Sequence, residues 1–363
     1  MIATPPSRSQ PPARIRSIQY LRAIAALAVV ALHASERVDA YLPAALDGGL
    51  HLGHAGVDLF FVISGFIMWS IGREAPSDPL RFLARRAIRV VPPYWIATSA
   101  WVAVMLLVGA QWIAITPAHV GQSLLFVPHW SPTFPDRFWP VLVPGWTLIF
   151  EMFFYGMFAL SLLAAGMRRL GVLTALLLAL VLAGVVIRPN TAVAAAYTSP
   201  LLLEFLSGCF VAEVLRRWPG GAVRGAGFVV VGLLVLAVLG SGAATDQTSW
   251  SRPMILGLAC VLIVAGTVGL EDRLPDLPLL ERLGDASYAI YLFHLFLLVP
   301  LAQVWQMLPQ VHGPLGAIVF VVVAMGLASV MGILLFDRME RPLQRRLNGL
   351  AFGRTRRPPL VER

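Results

Sequence analysis

Residues Ser17 to Glu36 read SIQYLRAIAALAVVALHASE, an apolar run about as long as a 30 Å hydrocarbon layer requires, with a cation and an imidazole inside it. Arg22 and His33 are 11 positions apart. On an α-helix that spacing leaves them about 20° apart in azimuth and about 16 Å apart along one face. Ionisable groups within hydrocarbon are costly enough that their default reading is functional, and they face the protein interior. The run predicts a first membrane span that carries chemistry.

The rest of the chain agrees with a membrane reading. Of its 363 residues 58% are hydrophobic and only 13% charged, with a mean hydropathy of +0.76. A soluble domain carries about 25% charged residues. Ten apolar windows recur near 18–36, 54–72, 91–111, 143–165, 171–188, 199–215, 224–242, 252–270, 285–306 and 314–336. The expected fold is all-α, a polytopic membrane protein of about ten transmembrane helices. All 28 basic residues are arginine. With the N-terminus in the cytoplasm, the outer loops hold only Arg37, Arg137, Arg188 and Arg252, which satisfies the positive-inside rule and puts both termini in the cytoplasm. The net charge of +9 then follows from basic cytoplasmic faces, and no nucleic-acid partner is expected.

Residues 1–16, rich in proline and arginine, are expected to form a disordered cytoplasmic leader, 17–345 the membrane domain, and 346–363 a basic cytoplasmic tail. A second reading makes the N-terminal run a signal peptide cleaved after Ala34, leaving nine spans. Cys209 and Cys260 each fall within a span, so a structural disulfide is not expected. The longest outer connection, Gln111 to Leu142, contains Trp112, Trp130 and Trp139 among prolines. Two readings stand for it: an interfacial anchor, or an aromatic platform for sugar rings.

Five further features bear on function. In GVDLFFVISGF, Asp58 opens the second span, either as a charge at a helix N-terminus or as a partner for His54, and Ser64-Gly65 follow near mid-membrane. In FLARRAIRVVPPYW, Arg86 and Arg89 share a helical face and Pro92-Pro93 are expected to break the approach to the next span. That pair is either ordinary cytoplasmic anchoring or a phosphate site, since guanidinium forks match phosphate oxygens. In GWTLIFEMFFY, Glu151 lies in an apolar span and must be neutral, partnered or near water. In LGDASYAIYLFHL, Asp285 and Ser287 are expected to cap a helix that carries His294 to mid-membrane. Glu340-Arg341-Pro342 is expected to mark the end of the last span.

Taken in order, YLRAIAALAVVALH, GVDLFFVISGF, RRAIRVVPPYW, GWTLIFEMFFY and GDASYAIYLFH resemble the motifs of acyltransferase family 3, the integral-membrane acyltransferases, across about residues 15–345. The chain is most like the exopolysaccharide O-acetyltransferases of the succinoglycan type. The resemblance implies a multi-pass protein of the bacterial inner membrane that moves an acyl group, commonly acetyl, onto a hydroxyl of a surface or exported glycan. It implies acetyl-CoA or another acyl-CoA as donor substrate, a glycan or lipid-linked sugar as acceptor, no permanently bound cofactor and no metal. Position by position, it assigns Arg22 to the donor side, His33 as the essential histidine, Arg86 and Arg89 to the phosphates of the donor, and Ser64, Glu151 and His294 to the site lining.

The chemistry suits such a reaction. A protonated sugar hydroxyl is a poor nucleophile, and a positioned imidazole accepts its proton during attack on a thioester. His33 is the candidate base. Glu36, three residues on, or Asp58 across a helix interface is the candidate for orienting its ring, with Asp58 preferred. Direct transfer and an acyl-enzyme both remain open. A proton-coupled exporter or glycan transporter, and a non-catalytic assembly subunit, are the rival functions. Neither an internal repeat nor paired broken helices support transport.

Overall fold

The computed structural model describes residues 15–74, 78–109, 113–219, 221–242 and 246–353. The described residues are helical and contain no strand. Most of the leader and the tail beyond Gly353 lie outside them, as do Gln111 and Trp112. In chain order the helices are α1 Arg16–Ser35, α2 Ala44–His51, α3 Ala55–Glu74, α4 Pro79–Leu107, α5 Pro117–Leu124, α6 Gly145–Ser161, α7 Met167–Ile187, α8 Ala192–Tyr197, α9 Leu202–Arg217, α10 Ala222–Leu239, α11 Leu258–Gly269, α12 Pro278–Gln306, α13 Pro314–Leu335 and α14 Arg341–Phe352.

Among the described residues eight helical segments are long and apolar enough to cross a membrane, and two shorter apolar ones, Gly145–Ser161 and Pro253–Gly269, accompany them. These ten segments fall on the ten apolar windows of the sequence. Burial separates centre from rim: 72% of the first span is buried, against 11% of Ala222–Leu239. The first helix is therefore central, packed on α12, α3 and α13. Its first amides, which lack intrahelical acceptors, donate to the Glu271 carboxylate from Arg16 N (2.6 Å) and Ser17 N (2.9 Å).

Small residues set the closest helix approach. A Cβ on Gly65 would lie 1.8 Å from the Phe205 carbonyl oxygen, and one on Gly208 would lie 2.0 Å from that of Val62. Such contact between α3 and α9 is how membrane helices associate without a hydrophobic driving force. Gly65 is thus a packing residue, while its neighbour Ser64 turns to a polar partner. Cys209 and Cys260 are free, buried thiols.

Three local expectations need correction. Pro92 and Pro93 do not interrupt the chain: α4 runs through both. Membrane helices tolerate proline where neighbours satisfy the freed carbonyls. Here the Arg89 carbonyl, which Pro93 deprives of its amide partner, receives Gln344 Nε2 at 3.5 Å, and the adjacent Val90 carbonyl accepts the Tyr288 hydroxyl at 2.8 Å. Asp285 and Ser287 are not caps, because α12 starts a full two turns earlier with Pro278 in its first turn. The last helix does not stop at Glu340-Arg341-Pro342. Glu340 lies in a π-helical turn, Phe336–Glu340, that carries the last span into α14, and it is buried.

The connection between α4 and α6 packs its aromatic side chains together where it is described. Trp130 packs tilted against Phe138 (4.5 Å between centroids) and Phe134 edge-to-face against Trp139 (4.9 Å), while Gln247 Oε1 accepts the Phe138 amide at 3.0 Å.

Candidate active site

The arginines of α1 and α4 converge. Arg22, Arg86 and Arg89 line one cavity together with Ser64, Glu151, Tyr155, Ser287, Tyr288 and Tyr291. Residues far apart in sequence thus meet because α1, α3, α4, α6 and α12 all turn polar positions to the same space. Glu151 is partnered, as its placement demanded: Ser64 Oγ donates to Oε1 at 3.3 Å, and the Tyr155 hydroxyl donates to the same oxygen. One carboxylate, already hydrogen-bonded, faces three guanidinium groups across the cavity wall. Glu340 and Asp285 lie within electrostatic reach of Arg22 behind it. Arg86 Nε is buried without a hydrogen-bond partner. A buried, incompletely satisfied cationic wall suits an anionic ligand rather than an empty core.

His33 and His294 are not among the residues that line this cavity; they lie beyond its Tyr291 side, where the Tyr291 and His294 ring centroids are 6.2 Å apart. Tyr291 reaches the Pro144 carbonyl (3.1 Å) and Thr147 Oγ1 (3.0 Å) from the cavity rim. One turn on along α12, His294 is fully buried and donates from Nδ1 to the Tyr291 carbonyl at 2.7 Å, so its Nε2 bears the lone pair. That nitrogen has no hydrogen-bond partner. The His33 ring stacks on it, with centroids 5.3 Å apart and planes 13° apart.

His33 Nδ1 lies 2.8 Å from Glu36 Oε2. A carboxylate only accepts, so Nδ1 carries the proton and Nε2 is free to act as a base. The ring is partly open to solvent, 28% exposed, which leaves room for a hydroxyl to approach it. Burial acts to raise the Glu36 carboxyl, but the hydrogen bond and charge of His33 outweigh it and hold the group below its usual value.

Asp58 is elsewhere, and this corrects the preferred orienting partner. Its carboxylate is fully buried and takes a bidentate pair from Arg252, Nε to Oδ1 at 2.9 Å and Nη2 to Oδ2 at 3.0 Å. Arg252 also lies over the Trp146 ring at 5.4 Å. The carboxylate that touches His33 is Glu36.

Several site residues escape a reading of the sequence. Tyr155 was visible only through its i+4 spacing from Glu151, and Tyr288 and Tyr291 only through a shared face with His294. Arg252 looked like an ordinary loop cation. Among the described residues no group of three or more His, Cys, Asp and Glu side chains could hold a metal ion.

The chain matches the family model described as an acyltransferase domain over residues 15–333, and it belongs to that family, acyltransferase family 3. It is a membrane acyltransferase. Among curated proteins it is 41% identical over 317 residues to the exopolysaccharide production protein ExoZ of Rhizobium meliloti, covering 84% of this chain and 92% of that one. It is 29% identical to the acyltransferase MdmB of Streptomyces mycarofaciens over 320 residues, covering 77% and 78%. No solved structure gives a significant match.

Proposed function

We propose that the protein transfers an acyl group, acetyl in the first instance, from a coenzyme A thioester to a hydroxyl of a lipid-linked or exported glycan at the bacterial inner membrane. The observation that carries this reading is an arginine-walled cavity whose Tyr291 adjoins His294, on which the ring of the Glu36-paired His33 stacks. The similarity to an exopolysaccharide production protein supports a glycan acceptor.

Arg86 and Arg89 hold the donor's phosphates, and Arg22 favours the anionic donor deeper in the bundle. The thioester arm extends along the cavity past Glu151 and Tyr155 toward Tyr291. His33 Nε2 accepts the proton of the attacking hydroxyl, Glu36 fixes the ring and stabilises its charged form, and His294 presents a flat face that holds the ring in place. The oxygen of the hydroxyl bonds to the acyl carbon as the carbon–sulfur bond breaks. The proton on His33 then passes to the departing thiolate, so charge and atoms balance. Both termini lie in the cytoplasm in this reading, which places the arginines on the cytoplasmic side and the imidazoles on the outer side.

The test supplies purified protein in nanodiscs with labelled acetyl-CoA and a membrane glycolipid extract. Label appears in the glycolipid with the wild-type chain and not with His33→Ala. Equal transfer by both chains would remove His33 as the base.

A further inference from the structure

Outside the cavity, α4 and α14 lie antiparallel at the end of the bundle assigned to the cytoplasm. Two contacts fix their register. Gln344 Nε2 meets the Arg89 carbonyl at the cavity, and eight residues further along α14 the Phe352 ring meets two guanidinium groups from the start of α4. Those groups belong to Arg81 and Arg85, whose Cζ atoms lie 5.4 Å and 5.3 Å from the ring centroid. Arg81, Arg85 and Arg89 follow one another at i, i+4 and i+8 and so form a row on one face of α4, about 12 Å long from end to end. The row runs from solvent, where Arg81 and Arg85 are exposed, to Arg89 in the cavity wall.

The row is built, not scattered. One aromatic face holds two cations side by side, an arrangement that costs mutual repulsion and gains from a shared anion. The nearest acid along the chain, Asp78, is engaged at the helix start, where its carboxylate accepts the Leu80 amide at 3.0 Å. Glu340, on the other side of Arg89, is buried and accepts from Gln344 at 3.1 Å. Among the described residues no ion pair is made to Arg81 or Arg85.

We infer that Arg81 and Arg85, braced by Phe352 of α14, form an outer phosphate station that binds the 3′-phosphate of the coenzyme A donor. This rests on the donor assignment made above. If the diphosphate occupies Arg86 and Arg89, the next anion met on moving outward is the phosphate on the adenosine ribose, and the next cations met on α4 are Arg85 and Arg81. Planar guanidinium forks suit a phosphate dianion. The station makes the protein selective for coenzyme A over acyl donors that end in a bare pantetheine phosphate or lack the 3′-phosphate.

The test compares CoA with 3′-dephospho-CoA by equilibrium binding to the full-length protein in zwitterionic nanodiscs. The wild-type chain prefers CoA by roughly tenfold, the size expected for an exposed, charge-assisted contact. In Arg81→Gln/Arg85→Gln the preference falls to about one, and Arg81→Lys/Arg85→Lys, which keeps the charge, retains part of it. Absence of a preference in the wild-type chain, or its survival in the Gln variant, overturns the station while leaving the donor assignment intact. Failure to bind either compound overturns both. If instead the Gln variant differs from wild type only when phosphatidylglycerol is added, and equally for both ligands, the arginines serve the lipid surface and the station is refuted.

Discussion

Two of the groups of buried charge in this bundle are solved in opposite ways. Asp58 and Arg252 form a closed bidentate pair, 0% and 2% exposed, roofed by Trp146. Arg22, Arg86 and Arg89 instead share a cavity with a single carboxylate, Glu151, which already accepts two hydrogen bonds. The first arrangement ties α3 to the chain entering α11. The second leaves cationic capacity facing open space. A closed pair is a structural device, because neither ion can reach a ligand without abandoning the other. An open cationic wall is a binding device.

The largest effect is expected outside both groups, at His33. His33→Ala lowers turnover by about 10²–10⁴-fold, the contribution of a positioned general base, with protein level unchanged. Single-turnover assays on purified protein check this. Next, Asp58→Ala removes the carboxylate that holds buried Arg252 in a bidentate pair and destabilises the fold by about 3–5 kcal/mol, read as a lower melting temperature and reduced membrane accumulation. Were the fold unaffected and only turnover lost, the pair would belong with the site after all. Third, Arg86→Ala with Arg89→Ala raises the donor KM by about 10–100-fold, as expected on removing two charge-assisted contacts, with little change in acceptor KM or melting temperature.

A smaller effect is expected at Glu36. Its carboxyl is held below the ordinary value, so its contact with His33 is complete above the unfolded carboxylate value of about 4.3 and is lost as pH falls through the lower, folded value. Glu36→Gln therefore reduces kcat/KM by about tenfold at every pH from 6 to 8, an effect of about 1.4 kcal/mol, without adding an acid limb to the profile in that range. Ser64→Ala gives the smallest change, about 1 kcal/mol at most in donor affinity or stability, because Tyr155 still satisfies Glu151.

The sequence made the apolar windows legible because hydrocarbon imposes length and composition directly. It also exposed Arg22, His33, Glu151 and the Arg86/Arg89 pair, since an ionisable residue stands out within an apolar run. It could not show which carboxylate meets which cation. Asp58 and Glu36 each had a local case for orienting His33, and only the packing of α3 against Arg252, at the start of the turn that leads into α11, gives Asp58 to Arg252. Helix limits near Pro92, Asp285 and Glu340 were misread for a related reason. Local breaker and capping preferences were overridden by partners from other helices, Gln344 and Tyr288 among them.

The most direct test of the distinction between closed and open charge is equilibrium binding of CoA to purified wild-type, Arg86→Ala/Arg89→Ala and Asp58→Asn proteins in nanodiscs. The account predicts that the arginine variant loses most of its affinity while folded Asp58→Asn protein binds as wild type does. Undiminished binding by the arginine variant, or loss confined to Asp58→Asn, would contradict it.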